Sequence, residues 1–287
     1  MLVLRSRVTL ARISDQALSL RGRHNIFFSL YRFMRLQKLA TRLLGPRYIR
    51  SQKRIQIDIT YRCNIKCFNC DRSCRQAPSN ERMTVEQIQR FVQETIDKNV
   101  EWEQIRILGG EPTLHPDILG ILDVLLAYKK SQSHDICLQL STNGFGREVN
   151  STLSKIPKGV EIIISPKKSR TQLFHPFNIA PKDSMIYKYA DYSNGCFRIS
   201  GVGTGLTPYG YYPCAIAGGI DRVFGFDVGR KEIPSPDDSM TDLLQVFCRL
   251  CGFFSYSREL TNREVMSSTW RMAYERYRTR KPNLSLY

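Results

Sequence analysis

The chain has 287 residues, of which 42% are apolar and 24% charged, with no run of eighteen apolar residues; this is enough for one large or two moderate domains around a real core, and it excludes an ordinary transmembrane helix. The net charge of +17 is unevenly placed: +12 over residues 1–54, +4 over 256–287 and only +1 over 55–255. A nearly neutral body with basic ends excludes a protein whose whole surface binds nucleic acid.

Residues 1–50 read as a basic, partly helical extension. From Asn25 to Leu44 apolar residues such as Ile26, Leu30, Phe33 and Met34 fall near helical spacing, with Arg32, Arg35, Lys38 and Arg42 between them, and Gly45-Pro46 stops the helix. An acid-poor amphipathic segment of this kind docks on an acidic partner or an anionic membrane surface, packs on the body with a solvated basic face, or serves as a transit peptide. From residue 51 to about 185, strand and helix signals alternate. Ile55 to Ile59 alternates at period two, and Thr84 to Lys98 reads as a helix capped by Thr84 with Gln87 at the third position. Ile105–Leu108 is a strand before Gly109-Gly110, and Asp117–Lys130 is a helix. Ile136–Leu140 is a strand, Val149–Ile156 a helix and Val160–Ser165 a further strand. Repeated strand–helix units give a parallel sheet with helices outside.

The pattern changes over 186–255. Gly and aromatic residues become frequent, and the apolar runs Phe197–Val202 and Tyr209–Cys214 read as a β-hairpin in a second, smaller domain. Thr241–Phe247 is a short helix leading into Cys248. Residues 256–287 close the chain with a polar helix, about Asn262 to Arg280.

Nine cysteines, an odd number, with no secretory signal read at the N-terminus, suit a reducing compartment, hence a cytoplasmic protein, peripheral on a membrane where residues 1–50 dock. Thiols at close spacing then point to metal. Cys63, Cys67 and Cys70 form C-x3-C-x2-C directly after the first strand. Three thiolates can hold three irons of a cubane and leave the fourth open, or bind zinc with Cys74 as a fourth ligand. Cys196, Cys214, Cys248 and Cys251 form C-x17-C-x33-C-x2-C, a set that fully ligates one cluster or one structural zinc. Cys137, on a strand, reads as an inert core residue.

The C-x3-C-x2-C loop together with Gly109-Gly110-Glu111-Pro112 after the second strand resembles the radical S-adenosylmethionine (radical SAM) superfamily over residues 54–170. The resemblance implies an α/β fold, a partial (β/α) TIM-like barrel. It implies a [4Fe–4S] cluster on Cys63, Cys67 and Cys70 whose open iron binds S-adenosylmethionine. It makes Gly109, Gly110, Glu111 and Pro112 cofactor-binding, with Ser141, Asn143 and Ser165 at the ends of the third and fourth strands toward the ribose or carboxylate. The family commonly places an aromatic residue before the last cluster cysteine; here Asn69 stands there, with Phe68 one place earlier. The second cysteine set resembles the Twitch auxiliary-cluster domain, a truncated relative of SPASM. Its spacing is similar to that of the dehydrogenase that oxidises an amino-inositol alcohol in aminoglycoside biosynthesis.

What this implies is an oxidoreductase. S-adenosylmethionine is cleaved to a 5′-deoxyadenosyl radical, a substrate hydrogen atom is abstracted, and the auxiliary [4Fe–4S] cluster takes the second electron. An external one-electron donor such as flavodoxin or ferredoxin supplies the first. The substrate is a small polar molecule; the alternatives are a peptide, as in a radical SAM maturase, or a zinc-binding protein that uses its basic ends on nucleic acid. No catalytic acid or base is singled out.

Overall fold

The structure, a computed structural model, describes residues 26–132, 135–165, 175–255 and 263–287. The first half of the basic extension and the start expected for the last helix at Asn262 lie outside the described residues.

In chain order the main elements are α1 (Ile26–Arg35), α2 (Lys38–Leu44), β1 (Arg54–Thr60), α3 (Val85–Asp97), β2 (Gln104–Gly109), α4 (Ile118–Gln132), β3 (Cys137–Thr142), α5 (Arg147–Leu153) and β4 (Glu161–Ile164). Then come α6 (Phe197–Gly201), β5 (Thr204–Thr207), β6 (Gly210–Tyr212), α7 (Ala215–Phe224), α8 (Thr241–Phe247) and α9 (Ser268–Thr279). One six-stranded sheet runs β4-β3-β2-β1-β5-β6, parallel from β4 through β5, with β6 antiparallel at its edge. This is a mixed α/β architecture built on one mostly parallel sheet.

The period-two reading of β1 is literal. Ile55, Ile57 and Ile59 are fully buried on one face, while Gln56, Asp58 and Thr60 take the other. Helix α3 begins with the expected capping box: the Thr84 hydroxyl accepts from the Gln87 N–H at 3.2 Å and the Gln87 side chain accepts from the Thr84 N–H at 2.9 Å. That pair satisfies two donors that a helix start otherwise leaves open. The helix buries Ile88 and Phe91 in the main core with Ile105, Ile107 and Leu122.

The expected hairpin is corrected in two ways. Phe197–Gly201 is helix α6, not a strand, and the strand lies in the Gly-rich stretch that reads as a turn. Steric demand explains this. β5 is squeezed between β1 and α7, and a Cβ on Gly205 would come within 2.2 Å of the Ala215 nitrogen. Gly203, at φ +94°, lies so close to the Arg54 carbonyl that no side chain fits. The strand is Gly-rich because neighbours press on it. Moreover, β5 pairs with β1, Ile55 opposite Thr204 and Ile57 opposite Leu206. The hairpin thus extends the main sheet, which crosses the boundary expected at residue 185.

The C-terminal helix α9 is polar on one face only. Trp270, Tyr274 and Tyr277 are buried, and the Trp270 indole N–H donates to the Leu250 carbonyl at 2.7 Å. Among the described residues no helix is long and apolar enough to cross a membrane.

Candidate functional site

The Cys63–Cys70 loop leaves the end of β1 and is fastened to the turn after β2. The Gly110 N–H donates to the Thr60 carbonyl at 2.7 Å and the Glu111 N–H to the Arg62 carbonyl at 2.8 Å. A Cβ on Gly109 or Gly110 would lie 2.3 Å from the Thr60 or Arg62 carbonyl oxygen. The two glycines are therefore required by the approach of β2 to the cysteine loop, before any ligand is considered. On the other side, the Asn143 amide donates to the Asn64 side chain at 2.9 Å and lies 4.0 Å from the Cys63 sulfur. The three loops after β1, β2 and β3 thus meet at Cys63.

All three loop cysteines are half-buried. Burial pushes the Cys63 thiol up to about 12, whereas a hydrogen bond from the adjacent Cys74 brings Cys70 down to about 7. Cys74 itself is buried. Asn69 sits at φ +52°, a left-handed conformation Asn tolerates well, and its amide donates to the Arg263 carbonyl at 2.9 Å. This accounts for Asn where the family commonly has an aromatic residue: the position anchors the loop to the C-terminal segment. Phe68 instead lies under the Arg75 guanidinium, 4.4 Å from it. The Ser73 hydroxyl meets Tyr274 of α9 at 2.9 Å, which ties the loop down again.

Glu111 is fully buried, and its carboxylate is already engaged. One oxygen accepts from the Thr113 N–H at 3.2 Å, the Thr113 hydroxyl at 2.7 Å and the Thr142 hydroxyl at 2.8 Å; the other accepts from the Asn143 N–H at 2.7 Å. The side chain clamps the β2 and β3 turns together, so what this turn offers a ligand is backbone. Glu111→Gln is expected to cost about 2–3 kcal/mol of stability, because the hydroxyls can turn but an amide NH2 must face one of two fixed backbone N–H donors. Urea denaturation measures it, and an unchanged midpoint would mean that the clamp contributes nothing. Pro112 is buried and opens a 3-10 turn, Pro112–Leu114. Ser141 is half-buried on β3. Ser165, exposed just past β4, donates its N–H to the Thr142 carbonyl at 2.9 Å.

A second feature was not singled out from the sequence. In the register of the sheet, Gln56, Arg106, Gln139 and Glu161 stand side by side on four adjacent strands. Arg106 donates to the Gln139 carbonyl oxygen at 2.8 Å, and the Gln139 amide to Glu161 at 2.8 Å. Arg72, from the cysteine loop, folds onto the same face and pairs with buried Asp58 at 3.1 Å. Burial pushes the Asp58 carboxyl up, and Arg72 opposes that shift. The alternation of polar residues along each strand was the available signal; which strands sit side by side was not. Cys137 belongs to this face. It is half-exposed at the start of β3 and donates to Glu161 at 3.4 Å, so the expectation of an inert core thiol is corrected.

The other four cysteines converge from three places. Cys196 precedes α6, Cys214 precedes α7, and Cys248 and Cys251 flank the turn after α8. All four line one cavity, whose other walls include Arg198, Ile199, Leu244, Phe247 and Phe253. Burial raises the thiols of Cys214, to about 11, and of Cys248 and Cys251, and the nearby cysteines add to it. Four soft donors around one cavity fit a thiophilic metal group, and ligation would relieve the cost of burying them. Among the described residues no three His, Cys, Asp or Glu side chains gather around one point as the ligands of a single ion do.

Comparison with known proteins finds likeness over the segment that carries the first site. Residues 57–163 match the Radical SAM superfamily model. Over 105 residues the chain is 33% identical to the GTP 3′,8-cyclase of Campylobacter jejuni subsp. doylei, covering 36% of this chain and 31% of that protein. Over 102 residues it is 31% identical to the probable GTP 3′,8-cyclase of Thermococcus kodakarensis, covering 36% and 31%. The match thus spans about a third of these relatives' length. Among solved structures, BtrN in complex with AdoMet and 2-DOIA aligns over 75% of this chain and 99% of its own, at 11% identity and TM-score 0.42. Streptococcus suis SuiB bound to precursor peptide SuiA aligns over 39% and 24%, at 22% identity and TM-score 0.31. The matched segment contains the Cys63–Cys70 loop, the Gly109–Pro112 turn and Asn143. Over residues 57–163, then, the chain is similar to the Radical SAM superfamily.

Proposed function

We propose that the chain is a radical SAM oxidoreductase acting on a small polar substrate, with Cys63, Cys67 and Cys70 holding the S-adenosylmethionine-binding [4Fe–4S] cluster and Cys196, Cys214, Cys248 and Cys251 holding an auxiliary one. The observation that carries this reading is the meeting of the three-cysteine loop with the Gly109–Glu111 turn and Asn143 inside the matched domain. When bound, these groups supply one-electron cleavage of S-adenosylmethionine, hydrogen-atom abstraction and removal of the second electron, fed by an external donor such as flavodoxin or ferredoxin.

This chain's own residues position and shield. The Glu111 clamp and the Asn64–Asn143 bond fix the mouth of the site. Gly109 and Gly110 let backbone come close, at the C-terminal ends of parallel strands where such barrels bind ligands. Ser141 and Ser165 offer hydroxyls on the neighbouring strand ends. The row Gln56, Arg106, Gln139 and Glu161 is a polar, charge-bearing surface under the cysteine loop, suited to hydrogen-bonding a polar substrate and unsuited to an apolar one. The four-thiol cavity favours oxidation over a redox-neutral outcome, because four thiolates leave a cluster no open iron for substrate and fit it to carry an electron.

Anaerobic reconstitution tests the reading. About eight irons per chain, as two four-iron clusters require, and 5′-deoxyadenosine formed with dithionite are expected. Zinc in place of iron would overturn it. GTP belongs among the substrates tried, since the curated relatives are GTP 3′,8-cyclases. A cyclised nucleotide would keep the radical chemistry and replace the oxidation.

A further inference from the structure

Seventeen large apolar side chains are exposed among the described residues, and eleven of them lie in two short segments, 30–49 and 179–189. The segments adjoin. The Lys38 N–H donates to the Tyr189 carbonyl at 3.0 Å and the Asp191 N–H to the Leu36 carbonyl at 2.7 Å. Leu36, Ala190 and Phe254 form a small core beneath them. The Arg47 N–H is held by Asn194 at 2.9 Å. The α1–α2 corner is therefore built onto the body and is not a loose tail.

Its outer surface is apolar. Helix α2 buries no side chain at all, and Leu39, Leu43 and Leu44 are 69%, 73% and 68% exposed. Leu30 and Met34 on α1 and Ile49 beyond α2 are also more than half exposed, as are Met185 and Tyr189 on the adjoining segment. Exposed apolar side chains gathered on two adjoining segments mark an interaction site.

The charge around it is of one sign. Residues 26–57 contain eight Lys or Arg and no Asp or Glu; of the eight, Arg35 and Arg50 are buried and Lys53 pairs with Glu103. Lys38, Arg42, Lys182 and Lys188 form no ion pair among the described residues. The two acids nearby in sequence are turned to other work: Asp183 accepts from the Thr269 N–H and hydroxyl, and Asp191 from Ser193 and Gln245.

We propose that this corner is a docking face for an anionic lipid surface, with the leucines and Met34 entering the headgroup–acyl boundary and Lys38 and Arg42 meeting the headgroup charge. Aliphatic tips beside free cations match that boundary on both counts, and tyrosines such as Tyr31 and Tyr189 suit its polar–apolar edge. Nucleic acid would use the cations and leave the leucines in water. A second copy would oppose like charges across a face with no acids to pair them.

Sedimentation with vesicles of the full chain tests this. Binding to phosphatidylglycerol-containing vesicles is expected at low salt, weakening as salt is raised, with at least about tenfold less binding to pure phosphatidylcholine. Leu39→Ser with Leu43→Ser should cut binding about tenfold while leaving thermal unfolding unchanged, because α2 packs no side chain into the core. Should that variant unfold, Lys38→Gln with Arg42→Gln serves, both residues being exposed, and undiminished binding by it overturns the proposal. So does absence of binding to anionic vesicles. Full binding by the folded leucine variant would assign the membrane contact elsewhere, as with residues 1–25. A wild-type dimer that the leucine variant converts to monomer, without vesicle binding, would make the face a self-interface and equally overturn the proposal.

Discussion

On the proposed function, alanine in place of Cys63 or Cys67 is expected to abolish 5′-deoxyadenosine formation, to less than about one hundredth of wild type, and to lower the iron content from about eight to about four per chain. The expected loss is large because each substitution would remove a bond to the cofactor. Cys63 faces Asn143 and Cys67 is half-buried in the loop. Cys70 differs. Cys74 lies in hydrogen-bonding contact with it, so Cys70→Ala has a spare thiol nearby and retains some iron. Cys70→Ala with Cys74→Ala removes that route and matches the Cys63 variant. Cys74→Ala alone keeps full cleavage, since three ligands suffice; its cost is a packing loss of about 1 kcal/mol. Anaerobic iron analysis with quantified 5′-deoxyadenosine checks all five variants. Wild-type cleavage by Cys63→Ala would remove the loop from the reaction.

The sequence made one half of this plain and hid the other. The β1 strand, the Thr84 cap and helix α8 were legible because each rests on a local rule: alternation, a box of two residues, an amphipathic turn. The cysteine loop and the Gly109–Glu111 turn stand out in the sequence as residue types at fixed spacing, and the fold sets them side by side. What spacing cannot carry is which distant segments press together. Gly203 and Gly205 look like turn residues until Arg54 and Ala215 are seen against them. Phe197, Ile199 and Val202 look like a strand, yet only a short helix brings Cys196 to the cavity. Glu111 was read as a ligand-side residue, and its carboxylate proves to be spent on four protein donors. Gln56, Arg106, Gln139 and Glu161 belong to four strands separated by helices, so their row exists only once the register is fixed.

Cys196→Ala and Cys214→Ala separate the two cysteine sites by function. Both are expected to keep 5′-deoxyadenosine formation, within about threefold of wild type, and to lose oxidised product by about a hundredfold. The reasoning starts from placement. Cys196 and Cys214 stand at the entries to α6 and α7, while the first site is built from the loops after β1, β2 and β3. Loss of one ligand from the four-thiol cavity therefore need not disturb the mouth held by Glu111 and Asn143. It would, on the proposed function, remove the closed four-thiol set that an auxiliary cluster needs to carry the second electron. Product and 5′-deoxyadenosine measured in one anaerobic assay give the ratio that decides the matter. An unchanged ratio makes the second site structural, as a zinc of four cysteines would be. Loss of cleavage in a variant whose first site still holds about four irons couples the two sites and ends the division of roles. Folding must be checked alongside, because α7 also carries Arg222. Its guanidinium donates to the Ala77 carbonyl at 2.8 Å and the Arg72 carbonyl at 3.0 Å. A collapse of α7 would thus reach the segment that follows Cys70. Cys196→Ala is the cleaner variant for that reason: α6 is five residues long and buries only Ile199, so little else moves when the thiol that precedes it is removed.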